Sequence, residues 1–252
     1  MKKYAKVKSL YKAMPVLEAF SIEKPEMSVT ELSNQLGLYK SNIYNILATF
    51  EEMGYITQDP QTCKYRLGYK ILNLSYIFNA HMNLQRIILP YMQKIADETH
   101  ENVYLAVPVE HEVVYLESCS PSGVVPKRSL QGERAPMYCT AIGKAILAFS
   151  GAAMRKKVQE NGFIRFTENT LTDKDALDLE LKSIQQNGYA IDNMEHEFGI
   201  KCVAMPIRKK NGDVYAALSI SGPSLRMDDE TLVRYMKLLQ QQIVQIERDY
   251  SL

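Results

Sequence analysis

The sequence predicts an α+β protein with an N-terminal winged helix-turn-helix, a linker helix, and a C-terminal domain built on an antiparallel sheet. Helical periodicity dominates the start of the chain and ends in two short strand-like segments around Asp59-Pro60, which is the order of a winged helix. Beyond the linker, strands and helices mix without the regular βαβ alternation of a parallel sheet. The 252 residues, 46% of them hydrophobic, are enough to bury a core in each of two domains.

Two helical segments open the chain. The first, "KVKSLYKAMPVLEAFSI", predicts a helix that starts near Ser9 and contains Pro15. We expect its periodic apolar residues to form one buried face: Val7, Leu10, Met14, Leu17 and Phe20. In the second, "SVTELSNQLGL", either Ser28 or Thr30 caps a short helix and Gly37 ends it.

The third helical segment, "LGLYKSNIYNILATFEEMGYI", has two unlike faces. One face carries apolar residues at helical spacing: Ile43, Leu47, Phe50 and Met53. The opposite face carries short uncharged side chains where a solvated helix would carry Glu and Lys: Ser41, Asn42, Asn45 and Thr49. Such a face suits a recognition helix, whose N-terminal half meets base edges in the major groove. The alternative is an ordinary solvated helix in a small helical domain.

Several side chains of this region suit DNA. Asn pairs bidentately with adenine and Ser reaches bases or phosphates, whereas Lys and Arg neutralise phosphates. The predicted DNA-binding residues are Tyr39, Lys40, Ser41, Asn42, Tyr44 and Asn45 in or beside the helix, and Lys64 and Arg66 in the wing. Tyr39 and Tyr44 would touch phosphates, although Tyr44 has the alternative of packing against the second helix.

The C-terminal part alternates between strand and helix patterns. "NVYLAVPVE" and "EVVYLESCS" predict strands, "PSGVVPKRSL" a third extended piece, and "QGERAPMYCT" a loop leading into a helix capped near Thr140. "TDKDALDLELKSIQQNG" predicts a helix ended by Gly188. "YAIDNME", "IKCVAMPIRK" and "DVYAALSISG" predict strands with a hairpin at Asn211-Gly212, and a closing helix follows.

Composition and motifs exclude several classes of protein. The net charge of +1 favours no particular partner, and the four scattered cysteines form no zinc knuckle or disulfide framework. Lys12 and Glu18 interrupt the apolar stretch near the start, and no run approaches the length of a membrane span, so we expect a cytoplasmic protein. Because G-x-S-x-G, H-E-x-x-H and Walker motifs are all absent, we expect no enzyme, no catalytic residues and no cofactor.

Six sequence blocks carry a resemblance to a known family. They are "SLYKAMPVLEAF", "VTELSNQLGLYKSNIYNILATFEEMGYI", "YRLGYKIL", "RAPMYCTAIGKAILA", "NGYAIDNMEHEFGIKCVAMPI" and "GDVYAALSISGPSLRM". In this order they resemble the IclR family of bacterial transcription regulators, from about Val7 to Asp249. In that family Arg commonly stands where this chain has Asn45, so the resemblance implies a different base readout here.

The resemblance implies a ligand-responsive repressor or activator of a catabolic or stress operon. It implies residues 1–67 as the DNA-binding domain, 68–82 as the linker helix, and 83–252 as an effector-binding and oligomerisation domain with a GAF/PAS-like fold. The expected partners are double-stranded operator DNA, further copies of the chain as a dimer or tetramer, and a small organic acid or aromatic metabolite. Ile71, Leu74 and Ile77 of the linker would join two copies. The alternative is a constitutive DNA-binding regulator whose C-terminal domain only oligomerises.

The resemblance also implies an effector pocket. Carried over residue by residue, it comprises Ala135, Ala141, Ile142, Asp192, Ile200, Cys202, Ser219 and Ser221. Physical chemistry supports this set, since backbone N–H groups at the helix start attract a carboxylate and two serines two positions apart on a strand share a face. Asp192 would accept a hydrogen bond from a ligand hydroxyl or hold a metal ion.

Other roles stay open for these residues. Cys202 also fits a buried core position, Ser219 and Ser221 an edge strand, and Asp192 a turn or helix cap. A metal site of Glu195, His196 and Cys202 matches no zinc spacing, so we expect none. A larger question concerns Lys127 and Arg128, which follow "SGVVP" where the family pocket is more apolar. Either one faces the ligand and favours an anion, or both are solvated.

Overall fold

A computed structural model describes residues 7–80, 83–124 and 130–249 of the chain. These residues pack as two compact units that divide between residues 82 and 83. Lys127 and Arg128, for which the sequence left two roles open, lie outside the described residues. Within the described ranges, no helix is both long and apolar enough to cross a membrane.

The N-terminal unit is a winged helix-turn-helix followed by one helix. Its elements are α1 (Lys8–Glu18), α2 (Val29–Leu36), α3 (Lys40–Glu52), β1 (Ile56–Gln58), β2 (Tyr65–Leu67) and α4 (Lys70–Ala80). Ser28, rather than Thr30, caps α2. Its hydroxyl accepts from the Glu31 amide at 3.2 Å, and the Glu31 carboxylate accepts from the Ser28 amide at 2.7 Å. Gly37 ends the helix with a φ of 64°, a left-handed conformation that glycine adopts without strain.

The core of this unit differs from the sequence prediction at α1. Val16, Ile43 and Leu47 are fully buried, but Leu10 and Met14 are 60% and 46% exposed. The predicted buried face of α1 is therefore wrong in its first two turns. The apolar residues of α1 form two stripes, and α2, α3 and the hairpin cover only the stripe near Val16. Helical periodicity finds apolar residues but does not say which of them gain a neighbour.

The C-terminal unit is built on one six-stranded sheet. Its strands are β3 (Asn102–Val109), β4 (Glu112–Cys119), β5 (Arg134–Pro136), β6 (Ala190–Asn193), β7 (Ile200–Arg208) and β8 (Val214–Pro223). They lie in the order β5-β4-β3-β8-β7-β6, and every neighbouring pair is antiparallel. The antiparallel α+β prediction is therefore confirmed.

The helices of this unit pack against the sheet or against one another. They are α5 (Asn83–Thr99), α6 (Ala141–Ala148), α7 (Ala152–Asn161), α8 (Lys174–Asn187) and α9 (Asp229–Asp249), with a 3-10 turn at Ser224–Arg226. Sequence reasoning missed α7 and β5. Only Val158 of α7 is buried, so the helix leaves little apolar periodicity to detect. Strand β5 has three residues, which is too short for an alternating pattern.

Helix α6 is the element that positions the second candidate site. All eight of its residues are buried. It packs against α8 and against strand residues that are mostly small. Ala106, Ala204 and Ala217 are such residues, and they let the helix approach the sheet closely. Since α6 begins directly after β5 and a short loop, its N-terminus faces the sheet instead of solvent.

Candidate functional site

The polar face of α3 is free to meet a partner. Ser41, Asn42, Asn45 and Thr49 are all exposed, as is Lys40. Tyr44 is 57% exposed, so packing against α2 does not bury it. Tyr39 is 82% exposed at the helix start. The six sequence-predicted residues of this segment therefore share one accessible surface, which we call the recognition face: Tyr39, Lys40, Ser41, Asn42, Tyr44 and Asn45.

The start of α3 also offers backbone donors. Tyr39 occupies the N-cap position, and its side chain makes no capping hydrogen bond. The Asn42 amide donates to the Tyr39 carbonyl at 2.9 Å, whereas no described residue accepts from the Lys40 and Ser41 amides. These two N–H groups are available to an oxyanion, and the helix dipole favours a negative charge there. At the other end of the face, the Thr49 hydroxyl donates to the Asn45 carbonyl at 2.9 Å. Donors to DNA thus concentrate in the N-terminal half of the helix.

The wing presents two basic residues in different surroundings. Its turn is held by Asp59, which accepts from the amides of Gln61 and Thr62 at 2.9 and 2.8 Å, and these bonds lower the Asp59 pKa. Arg66 lies 3.6 Å from Glu26 in an exposed ion pair. Lys64 makes no ion pair with any described residue and is half-buried. Each of the two cations thus has a carboxylate nearby, because the charge of Lys64 helps to lower the pKa of Glu31.

The second candidate site is a cavity in the C-terminal unit, with a volume of about 110 Å³. All eight sequence-predicted pocket residues line it: Ala135, Ala141, Ile142, Asp192, Ile200, Cys202, Ser219 and Ser221. The register explains how they meet, because Cys202 pairs with Ser221 and Asp192 on the two neighbouring strands. No side chain of residues 7–80, 83–124 or 130–249 fills the space, which has room there for several waters or one small organic molecule.

One wall of the cavity is the N-terminus of α6. The Thr140 hydroxyl accepts from the Gly143 amide at 3.2 Å and donates to the Pro136 carbonyl at 2.7 Å. No described residue accepts from the N–H groups of Ala141 and Ile142, whose residues are 1% and 2% exposed. Two buried donors therefore point toward a site that favours an anion.

The cavity is also lined by residues that were not among the predicted pocket residues: Tyr104, Tyr115, Leu130, Glu133, Thr140, His196 and Glu197. The rings of Tyr104 and Tyr115 lie 5.6 Å apart at 63°, an edge-to-face pair. The His196 ring contacts Phe166 at 4.9 Å, and burial lowers the His196 pKa, so its imidazole is neutral near pH 7. Tyr104 and Ser219 are opposite each other on neighbouring strands, and the sequence alone does not give the register that pairs them.

Asp192 has a structural role that the sequence left open as an alternative. Its carboxylate accepts from the Glu195 amide at 2.7 Å, which closes the turn after β6. Burial raises the Asp192 pKa to about 7, although the amides of Glu195 and His196 act in the opposite direction. Near neutral pH this carboxyl is therefore partly protonated and able to donate a hydrogen bond as well as accept one at the cavity wall.

A metal centre finds no support in the described part of the chain. No group of three His, Cys, Asp or Glu side chains there is close enough to hold an ion. The Glu195 carboxylate instead lies 2.6 Å from the Lys144 ammonium, and the Cys202 thiol donates to the Ser221 hydroxyl at 3.1 Å. Burial raises the Cys202 pKa, so the thiol stays protonated.

Comparisons with known proteins agree over nearly the whole chain. The family profile described as the IclR helix-turn-helix domain matches residues 9–60, and the one described as the bacterial transcriptional regulator IclR C-terminal matches residues 78–248. The Escherichia coli (strain K12) regulator KdgR is 34% identical over 92% of this chain and 89% of its own length. XynR of the same organism is 31% identical over 93% of this chain and 94% of its own.

A solved structure extends the likeness to a liganded protein. An IclR homologue from Microbacterium hydrocarbonoxydans, crystallised in complex with 4-hydroxybenzoate, superposes with a TM-score of 0.78. It is 26% identical to this chain, and the match covers 96% of this chain and 98% of the homologue. The relatives matched are transcription regulators and not enzymes, as the missing catalytic motifs predict.

Proposed function

This chain belongs to the IclR family of bacterial transcription regulators, and from that premise we propose that a small organic acid or aromatic metabolite controls its binding to an operator. The regulated genes would be a catabolic or stress operon, and the protein would act in the cytoplasm as a repressor or an activator. The proposal divides the chain into a DNA-binding domain (residues 1–67), a linker helix (68–82) and an effector-binding and oligomerisation domain (83–252).

The recognition face would read the operator. Asn42 and Asn45 are exposed on the N-terminal half of α3, where side chains of a helix-turn-helix reach base edges. The open N–H groups at the start of α3 and the cations Lys40, Lys64 and Arg66 would contact phosphates. Base contacts and phosphate contacts thus come from neighbouring but separable residues.

Exposed apolar side chains support assembly of the chain into dimers. Helix α4 has no buried residue, yet it carries Leu72, Leu74, Ile77 and Phe78, which are 48% to 66% exposed. Leu10, Tyr11 and Met14 of α1 are exposed as well. A monomer rarely leaves so much apolar surface in water. A two-fold dimer would present two recognition faces to successive major grooves, so the operator would be near-palindromic.

The observation that carries the ligand proposal is the open helix N-terminus inside the cavity. The N–H groups of Ala141 and Ile142, with the hydroxyls of Ser219 and Ser221, would hold a carboxylate. Protonated Asp192 would donate to the same carboxylate, and ionised Asp192 would accept from a ligand hydroxyl. Tyr104 and Tyr115 both line the cavity, and the face of either ring would pack against an aromatic ligand.

The alternative is a constitutive regulator whose C-terminal unit only oligomerises. It would be favoured by a pocket filled with protein side chains, whereas this cavity is open and carries unused donors. A ligand that shifts operator occupancy needs a differential affinity of about 1–3 kcal/mol for the two states of the protein. Two hydrogen bonds to a charged group supply free energy of that order.

Operator binding measured with and without a panel of small carboxylic acids, 4-hydroxybenzoate among them, tests the proposal. The paired substitution Ser219→Ala and Ser221→Ala should abolish the response and leave DNA binding of the unliganded protein intact. Ser183→Ala, an exposed serine on α8, is the matched control and should respond like the wild type. If the paired variant still responds like the wild type, the ligand binds elsewhere. If no acid changes operator binding by the wild type, the constitutive alternative is favoured.

A further inference from the structure

Lys144 is an unusual residue in this fold because its charge is buried in the middle of α6. The residue is 1% exposed. Its ammonium lies 2.6 Å from the Glu195 carboxylate and 2.9 Å from that of Glu180 on α8. The two carboxylates outweigh burial, which favours the neutral amine, and they raise the Lys144 pKa. Lys144 therefore stays charged and joins three separate segments of the C-terminal unit.

The segment that carries Glu195 needs outside support. Met194, just before it, has a φ of 59°, a left-handed conformation that is costly for a residue with a side chain. The hydroxyls of Thr167 and Thr170 donate to the Met194 and Glu195 carbonyls, each at 2.6 Å. Asp192 accepts from the Glu195 amide. The surrounding structure thus holds the backbone of residues 194 and 195 at several points, and Lys144 holds the side chain.

These restraints act on two walls of the ligand cavity at once. Ala141 and Ile142, which line the cavity, lie three and two residues before Lys144 on the same helix. His196 and Glu197, which line it from the other side, directly follow Glu195. The ion pair between Lys144 and Glu195 therefore ties the N-terminus of α6 to the loop at residues 194–197, behind the cavity and away from solvent.

We propose that Lys144 is a positioning residue that sets the distance between these two walls, so that ligand affinity depends on its ion pair with Glu195. The inference rests on the proposed function for the claim that the cavity binds a ligand. The ion pair and the two walls that it joins do not depend on that function. A buried ion pair adds little stability over a well-packed apolar pair of the same volume. It does impose a direction, because the ammonium must meet a carboxylate oxygen. An apolar replacement can therefore keep the thermal stability of the protein and still lose the fixed position of the loop.

Hydrogen exchange of the full-length protein tests the geometry without any ligand. The Glu195 amide, which is bonded to Asp192, reports on the loop. In the pair Lys144→Met and Glu195→Met, which removes both charges, we expect the thermal midpoint to stay near that of the wild type. Amides of residues 194–197 should nevertheless exchange about tenfold faster or more, the loss expected when a charged hydrogen bond disappears. Wild-type protection in this loop would overturn the proposal.

Two further variants keep the test specific. Lys144→Met alone leaves Glu195 uncompensated, so both the midpoint and the loop protection should fall. Glu180→Gln is the matched control, because it removes a carboxylate from the same ammonium on the side of α8 and not on the side of the loop. It should leave exchange at residues 194–197 within about twofold of the wild type. If Glu180→Gln loosened the loop as much as the pair does, Lys144 would be a general core charge and the proposal would fail.

The ligand readout is kept separate. If operator binding by the wild type responds to 4-hydroxybenzoate or another acid of the panel, the Lys144→Met and Glu195→Met pair should need about tenfold more of that acid for half the response. An unchanged half-response concentration would overturn the proposal. If the wild type responds to no acid, the proposed function fails, and the exchange data still decide whether Lys144 positions the loop.

Discussion

The recognition face and the ligand cavity use the same kinds of small polar side chain in opposite surroundings. Ser41, Asn42 and Asn45 are exposed on one helix, within five consecutive positions. Asp192 and Ser219 are buried, and the cavity that they line draws on residues from β3 to β8 and from α6. A surface site needs only that its helix forms. A buried site needs every packing contact around it, so it is the more fragile of the two.

This contrast separates how each site fails. Water already solvates the recognition face, so removing one side chain there loses one contact and leaves the fold unchanged. In the cavity a removed or added atom changes the packing of neighbouring elements. We therefore expect cavity variants to affect stability and ligand response together, and recognition-face variants to affect DNA binding alone.

The largest effect is expected from Gly143→Ala. A Cβ at this position would lie about 2.5 Å from the Cα of Met137, and backbone atoms cannot move aside cheaply. We expect a loss of about 3 kcal/mol in the stability of the C-terminal unit and no ligand response, because the α6 N-terminus would shift out of the cavity wall. Thermal unfolding of this variant and of the wild type measures the loss.

Gly151→Ala is the control for that prediction. No atom lies within 4 Å of a Cβ built at Gly151, so the same chemical change meets open space. It should cost no more than about 1 kcal/mol, because glycine is preferred over alanine at a helix N-cap. If both variants had equal midpoints, the close approach of α6 to Met137 would not limit the cavity.

The next effect is expected from Asn45→Ala on the recognition face. It should cost about 1–3 kcal/mol on the best operator and relax base preference at one position, since a bidentate contact to a base is lost. Gel shifts against operator variants measure the preference. Asn34→Ala, an exposed asparagine on α2, should not change it. Both variants should keep the thermal stability of the wild type, unlike Gly143→Ala. A relaxed base preference in Asn34→Ala would mean that the effect is not specific to the recognition face.

The two sites also differ in how far the sequence could predict them. The exposed face of α3 follows from periodicity within a single helix, and it is confirmed except that Met53, expected on the buried face, is 47% exposed. The cavity residues came from a resemblance and from strand alternation. Tyr104 and Tyr115 were missed although they lie on consecutive strands, because the register of the two strands shifts between Leu105 and Ala106 and the sequence does not show that shift. Lys144 and Glu195 are 51 positions apart in the sequence, and no local pattern predicts that this lysine side chain is buried.

A smaller effect concerns pH and the buried carboxyl of Asp192. Its native pKa of about 7 lies above the ordinary value of 3.8, because burial penalises the charge. Between these values the native state holds a proton that the unfolded chain has lost, so this group contributes less stability as pH rises from about 4 to 7. Asp192→Asn keeps the acceptor for the Glu195 amide and removes the titration.

The variant should therefore gain on the order of 1 kcal/mol relative to the wild type between pH 6 and pH 8. Urea unfolding of the C-terminal unit at the two pH values measures the difference. Nearby charges on Lys144 and Glu195 are common to both proteins and largely cancel in the comparison. Asp213→Asn, an exposed hairpin residue, should give the same difference from the wild type at both pH values. A flat response in Asp192→Asn as well would mean that the buried carboxyl does not titrate in this range.

The smallest effect is expected from Lys64→Ala in the wing. Lys64 acts on the exposed Glu31 carboxylate but makes no close ion pair with the described residues, so we expect it to contact one phosphate. Removing it should weaken binding to all DNA sequences equally and reduce the steepness of log K against log salt by about 0.9. Lys12→Ala removes the same charge from α1 and should leave the slope unchanged. Because a phosphate contact carries no sequence information, the ratio of operator to non-operator affinity should stay constant. A changed ratio would mean that the wing reads bases, and that the recognition face is not the only part of this unit that determines specificity.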